Sequence, residues 1–445
     1  MSTALNRNGL SRAFRTSFLV ATVAMAAPAL AQDPSEPRLD PESTATDTRS
    51  GSSTKTLDVV TVIGRRPRLF EVRDVNAGAL GIRDMQDLPF SIGSYSTDTI
   101  EEQRARTALD VLKNDPSVTP TTPGASYDGV AVRGFSANAI NNVRRDGLAT
   151  NVYMDVPLEN KERVDVLKGL SGFLYGVGEP SGVVNYVLKR PTRVPFASVT
   201  GEVTSRDGRY ASMDAGGPMA GGRAGYRINA ATEKVGDYSH FGDLERNFAS
   251  GALDFKLGDN ALLQLDADYQ DKQLAASALI GPRSDGTVVP ADSFDPRTLV
   301  GQPWGRYRSH GWNLGSRLDV TLASGWLLTT QLGASRTGRD AAFPDVYEVA
   351  PDGDVLSGDY YYAPDQKFET TAGQSYLSGK LGDGSIRHDL VFGVAATRSE
   401  LWDGGFLVFP ETVGNIYSPR PFPKPDLDRN TAKNHTKATQ QSAFF

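Results

Sequence analysis

The residue types that carry most covalent chemistry are thin in this chain. It has no cysteine and four histidines, His240, His310, His388 and His435. They are too scattered for an HExxH site or a paired cluster. No GxSxG element holds a nucleophilic serine, and the run from Gly169 to Gly182 contains neither GxxxxGK[ST] nor GxGxxG, so it is no phosphate loop. The acidic "DLDRN" from Asp426 lacks the spacing of a calcium loop. The sequence therefore offers no catalytic residue and no metal-ligand set. What it does offer is non-covalent. "LDVVTVIG", Leu57–Gly64, is a strand-prone island between polar flanks. It is either the first strand of the next domain or an exposed segment that a partner can take up by strand addition.

The surrounding elements limit what such a segment can serve. Arg7, Arg12 and Arg15 precede an apolar run, Phe18 to Ala31, that ends in the small-x-small pair Ala29 and Ala31. This is the pattern of a signal peptide over 1–31. Residues 32–56 are rich in Pro, Ser, Thr and Asp without periodicity, the composition of a disordered tether. No later segment approaches the ~18 continuous apolar residues of a spanning helix, so a membrane-crossing mature chain has to use a closed barrel. A net charge of -6 and a pI near 5.4, with scattered basic residues, give no footing for nucleic acid.

Residues 65–192 have the mixed pattern of a compact α/β unit. Ser91–Tyr95 is a strand. Thr107 is placed to cap a helix over "ALDVLKND", which Pro116 stops. "VAVRGFSA" is a strand into a turn, "RRDGLA" holds an Asp-Gly turn, "KERVDVLKG" fits strand or helix, and "VVNYVL" is a strand. From about Pro195 the period becomes two. Ala224, Tyr226, Ile228 and Ala230 alternate with Arg223, Gly225, Arg227 and Asn229, and Leu263, Leu265, Ala267 and Tyr269 alternate with Leu262, Gln264, Asp266 and Asp268. A soluble sandwich shares that alternation. Segments near ten residues, aromatic ends such as Trp312, Trp326 and Tyr269, and short links alternating with long ones favour a transmembrane barrel.

Five ordered motifs carry a resemblance. "RVDVLKGLSGFLYGVGEPSGVVNYVLKRPT", Arg163–Thr192, resembles the last part of the plug domain of TonB-dependent outer-membrane receptors, in their ferric-siderophore branch. "LDVVTVIG" is similar to their TonB box and "PFSIGSYSTDTIEEQRARTALDVLKNDPSV" to the first plug region. "VAVRGFSA" resembles their arginine–glycine–phenylalanine element, and "VRRDGLA" the plug turn after it. The resemblance implies a plug over 65–192 followed, over 193–445, by part of a transmembrane antiparallel β-barrel that has 22 strands in the family. It implies import of a ferric siderophore across the outer membrane, with the plug and N-terminus facing the periplasm and no covalently bound cofactor. Implied partners are TonB with its inner-membrane energising complex, outer-membrane lipid and the barrel assembly machinery. TonB would pair with Asp58, Val59, Val60, Thr61, Val62 and Ile63.

Within the plug, the resemblance implies that Arg133, Glu162 and Arg163 join an ion network with the barrel. Gly134, Gly169 and Gly182 would serve tight backbone approach in turns. Tyr127, Arg144 and Arg145 would offer ring and cation contacts to an anionic chelate, or else pack turns and pair with loops. Only a tether fits between Ala31 and Leu57, so no separate signalling domain is expected there. Residues 193–445 offer seven to nine candidate spans, fewer than the family's barrels, and a fragment or truncated product is expected. The alternatives are an importer of cobalamin or a glycan, and a non-transporting product whose plug only binds TonB.

Overall fold

A computed structural model describes residues 72–445, apart from 73, 77–81, 89, 122–128, 138, 140, 152, 170–178, 206, 240–241, 294, 296, 324, 383–387, 411–412 and 427–432. The expected signal peptide, the tether, Asp58–Ile63 and Tyr127 lie outside the described residues.

The N-terminal domain opens with a hairpin of β1 (Asp74–Asn76) and β2 (Ile82–Asp84). Then come β3 (Ser91–Ser96), α1 (Thr97–Glu102), α2 (Ala108–Leu112), β4 (Val118–Pro120), β5 (Val130–Val132) and β6 (Phe135–Ser136). It closes with β7 (Val143–Arg145), β8 (Leu148–Ala149), β9 (Lys161–Lys168) and β10 (Gly182–Leu188). The main sheet has the order β3-β9-β10-β7-β8, with β10 parallel to β7 and antiparallel to β9. Because β9 is flanked on both sides, its valines alternate into a packed interior, which settles "KERVDVLKG" as a strand. Ile100, Ala108, Val111 and Leu112 of the helices pack on Val164, Val166, Val184 and Tyr186.

The Asp110 carboxylate accepts from the backbone N–H of Thr107 at 3.0 Å, a capping box at the start of α2. The helix is shorter than "ALDVLKND" because Asp115 turns away to accept from the Ser117 N–H at 3.0 Å. Two hairpins close on residue pairs in the left-handed region: Arg133–Gly134 at φ 53 and 83, and Asp146–Gly147 at φ 50 and 87. Such turns match the right-handed twist of the strands they join.

The remaining chain is one twelve-stranded sheet. Its strands are β11 (Phe196–Thr204), β12 (Gly208–Met219), β13 (Ala224–Ser239), β14 (Gly242–Leu257), β15 (Ala261–Ala275) and β16 (Leu279–Ile280). They continue with β17 (Arg306–Thr321), β18 (Leu327–Val349), β19 (Val355–Leu381), β20 (His388–Asp403), β21 (Leu407–Phe409) and β22 (Asn434–Phe444). Ten form an antiparallel meander from β11 to β22, while short β16 and β21 add to β18 and β19. The seven to nine expected spans undercount these ten long strands, because sequences such as "FASVTGEVT" and "NHTKATQQSAF" alternate weakly. Among the described residues the sheet is open, with β11 paired only to β12 and β22 only to β20.

The register separates two faces. Leu253, Leu265, Ser316, Leu332, Gly373 and Ala396 stand opposite one another in a single row. One residue along each strand lies the row Asp254, Gln264, Arg317, Gln331 and Gln374. The polar row faces the N-terminal domain, and the apolar row is bare: Leu332 is 60% and Val394 58% exposed. Tyr269 and Trp312 pair in register above that belt, and Trp326 stacks on Phe392 below it. Arg336 and Glu369, 3.6 Å apart, continue the row of those upper aromatics, and beyond it Asp271 stands opposite His310. Short turns at 220–223, 258–260 and 322–326 lie at one end of the strands, and the long connections 276–305 and 404–433 at the other. A bare apolar belt edged by aromatics, with short turns on one side, is the anatomy of a sheet that crosses a membrane. An arginine replacing Leu332 mid-belt should cost about 2–4 kcal/mol, reducing the heat-resistant, membrane-extracted fraction. Equal yields of Leu332→Arg and unaltered chain would overturn the assignment of that face to lipid.

Candidate functional site

The N-terminal domain meets the polar face through its charges. The β7–β8 turn and the segment Thr150–Asn160 lead its side chains onto β13–β19. Arg145 pairs with both Asp266 and Asp268 of β15, 3.0 Å from the latter. Asp268 also accepts from Asn313 at 2.7 Å and from Asn160. Glu159 accepts from Arg246 at 3.1 Å, and Arg246 reaches on to Glu233 at 3.0 Å. Asp155 pairs with Lys272, while its backbone carbonyl accepts from Gln270 at 2.8 Å. Beside them, Asn151 donates to Ser335 and accepts from Thr337, and Tyr153 stacks on Phe368 with centroids 3.7 Å apart. Level with these, Lys189 pairs with Asp214 at 3.1 Å and Arg106 with Glu202 at 2.6 Å, and nearer the short turns Arg190 pairs with Asp254.

The pairs made by Arg145, Arg246 and Lys272 are buried, so their charges act on one another strongly. Burial opposes a charge on Arg145, but Asp268 and Asp266 outweigh it and raise the guanidinium's pKa. Burial likewise pushes the Glu159 carboxyl up, yet the adjoining Arg246 holds it below the usual range. Lys161 goes the other way. Its ammonium, fully buried and bonded to the Asn160 side chain, is pushed down to about 8 by burial in spite of nearby Asp268. A cavity of about 510 Å³ lies beside this network, between the domain and β15–β19. Arg145, Arg163, Arg190, Arg317, Asp266 and Asp319 are among the residues that line it.

The residues expected in the network are placed differently. Arg163 donates to Asp165, two residues along its own strand, at 3.1 Å. Glu162 is exposed, and Arg133 makes no ion pair among the described residues. Arg163 and Glu162 are misplaced because β9 is an inner strand of the N-terminal sheet, whereas the segment before it is what reaches the polar face. Arg144 is buried and donates to the carbonyls of Asn141 and Val143 at 2.9 Å, so it is no exposed ligand contact. Arg145 is taken by the two aspartates. Gly134, Gly169 and Gly182 all have positive φ, and a Cβ on Gly182 would collide with the Leu167 carbonyl.

At the long-connection end, β18 and β19 run on for totals of 23 and 27 residues, well beyond the ~10 that cross a bilayer. There β16, β18, β19 and β21 make a layer of their own. Ala342, Tyr360 and Tyr362 on one face are covered by Trp304 and Phe422 of the two long connections. Gln302 links those connections, donating to the Arg420 carbonyl at 3.1 Å and accepting from the Phe422 N–H at 2.9 Å. The other face carries a ladder: Tyr307 on Phe343, and Phe343 on Tyr361, each at 5.5 Å, with Phe406 edge-on to the last two. Tyr307 precedes Ser309, Gly311 and Asn313 at two-residue spacing, on the side of β17 turned to the N-terminal domain. Sequence reading missed this ladder.

The comparisons with known proteins fit this geometry. The TonB-dependent Receptor Plug Domain family matches residues 84–183. The N-terminal domain is thus a TonB-dependent receptor plug, and the sheet after it has the fold of those receptors' barrels. The ferripyoverdine receptor of Pseudomonas aeruginosa is 26% identical over 339 residues, covering 72% of this chain and 40% of the relative. The ferrichrome receptor FcuA of Yersinia enterocolitica is 26% identical over 402 residues, covering 81% and 51%. Among solved structures, the closed form of the ferric-catecholate import receptor Fiu from E. coli aligns with a TM-score of 0.74 at 21% identity, over 85% of this chain and 56% of that one. The chain therefore spans about half the length of the relatives it matches.

Arg145→Met should cost about 3–5 kcal/mol of plug stability, because it strands two buried carboxylates. Urea-dependent proteolysis of the plug in membranes checks this, and unchanged resistance would contradict it. Lys161 gives a pH test. With its native pKa near 8 and its ordinary value 10.5, the unfolded chain binds more protons between those values, so stability should rise with pH across that window. Lys161→Met should flatten that rise in thermal unfolding at stepped pH. An identical slope in both proteins would refute the assignment.

Proposed function

We propose that this chain belongs to a TonB-dependent outer-membrane transporter that imports a ferric siderophore into the periplasm, without covalent chemistry. The observation that carries the reading is a plug held to the polar face of a membrane-crossing sheet by buried ion pairs. Such a plug closes the passage and yet, once pulled, exchanges its pairs for water. Relatives named as receptors for ferripyoverdine and ferrichrome support the cargo class. The aromatic ladder beyond the plug supplies the contact face that the sequence sought at Tyr127, Arg144 and Arg145. Force enters through Asp58–Ile63, whose backbone pairs with a strand of TonB, since the outer membrane has no nucleotide supply of its own. Outer-membrane lipid covers the apolar belt, and the barrel assembly machinery inserts the sheet.

The test is uptake in iron-starved cells stripped of their own siderophore receptors. Cells carrying the chain should accumulate iron-55 from a ferric siderophore. Val60→Pro, which removes a backbone donor from the pairing segment, should abolish accumulation while surface binding persists. Uptake of labelled cobalamin or a glycan with none of iron would replace the cargo, and binding without uptake in the unaltered chain would overturn transport.

A further inference from the structure

The ladder that the import reading assigns to the ligand carries a charge that none of its neighbours cancels. Asp345 and Asp359 stand directly opposite each other across β18 and β19. Each lies two residues from a ladder ring: Asp345 follows Phe343, and Asp359 precedes Tyr361. Two-residue spacing puts the carboxylates on the ladder's face, and like charges directly opposite in a sheet repel. Asp359 has one hydrogen-bond partner, the neutral Tyr347 hydroxyl, at 3.2 Å. The Asp345 carboxylate has no hydrogen bond or ion pair among the described residues. The back of the layer is filled by the two long connections, so an answering cation has to arrive at the front. That front is open, with Phe406 47% and Val408 50% exposed.

Aromatic faces and carboxylates attract the same partner. Ring quadrupoles draw cations, and two acidic groups repel an anion at the same distance that they hold an ammonium. Resting on the import reading above, we propose that the ligand this face accepts is a positively charged ferric chelate, of the class of hydroxamate complexes with a protonated amine. Ferric tris-catecholates, which are anionic, are disfavoured here. The selectivity resides in Asp345 and Asp359, while Phe343, Tyr361 and Phe406 supply the contact area. This reverses the sequence expectation of arginines receiving an anionic chelate, since Arg144 and Arg145 are both enclosed in the plug and its contacts.

The experiment uses membrane vesicles carrying the whole chain and three iron-55 probes. The first is a ferric linear trihydroxamate with a free terminal amine. The second is its N-acetylated form, which has the same metal centre without the charge, and the third is a ferric tris-catecholate. The cationic probe should bind about tenfold more tightly than the acetylated one, and more tightly still than the catecholate. In Asp345→Asn/Asp359→Asn that preference should collapse while the acetylated probe binds as before, which also shows that the face has folded. Equal binding of the amine and acetylated forms by the unaltered chain would overturn the proposal. So would a preference that survives in the double variant. Binding of the catecholate alone would overturn it and leave iron import standing, whereas binding of none of the three would remove both.

Discussion

Arg145 between Asp266 and Asp268 is the constraint around which the rest is arranged. Burying an ion triad costs the groups their hydration, which good geometry and further hydrogen bonds offset. Asn313 and Asn160 supply those to Asp268. The arrangement needs a rigid strand, β15, to present the two carboxylates two residues apart, and a tight turn to bring the guanidinium to them. The Asp146–Gly147 turn does the second job, reversing the chain immediately after Arg145. Its type I′ geometry also keeps the hairpin twisted with the sheet that it faces.

On the import reading the contact between plug and sheet has to be broken repeatedly, and ion pairs and amide contacts suit that. An apolar plug surface would gain about 25 cal/mol per Å² on docking and return none of it when water enters. A charged surface loses little by exposure, because each separated group regains its hydration. The desolvation and Coulomb terms of buried pairs are both large and nearly cancel, so such an interface can be specific without being permanent. Lys161 fits that balance: sealed among Asn160, Arg145 and Asp268, its ammonium costs the docked state more than it returns near neutral pH.

How much of this could be read beforehand follows from the range of each signal. The Asp-Gly turn, the Thr107 cap and the alternation of "ALLQLDADYQ" are local, and each appears where its residues require. Alternation also put Asp266 and Asp268 on the polar face. It could not name their partner, because Arg145 lies more than a hundred positions away and nothing in its own neighbourhood marks it. Arg163 misled for the same reason: its motif is familiar, but β9 turns it towards Asp165 within the plug. The ladder was hidden further, since Tyr307, Phe343, Tyr361 and Phe406 come from four different elements. They meet only because β18 and β19 continue past the ends of β17 and β20.

That extension explains why the exposed face is a ring ladder with two carboxylates. Above the membrane a two-sided sheet has to cover or solvate both sides, and a bare hairpin is only marginally stable. The two long connections cover one side with Trp304, Phe422, Val300, Val413 and Ile416, and Gln302 fastens them to each other. With the layer's stability supplied from behind, the front is relieved of packing duty. Residues that would be liabilities in an ordinary strand pair, opposed Asp345 and Asp359 above all, can then stand there. A repulsive pair on a well-supported layer is held ready for a cation, and the support is what keeps it from rearranging when none is present.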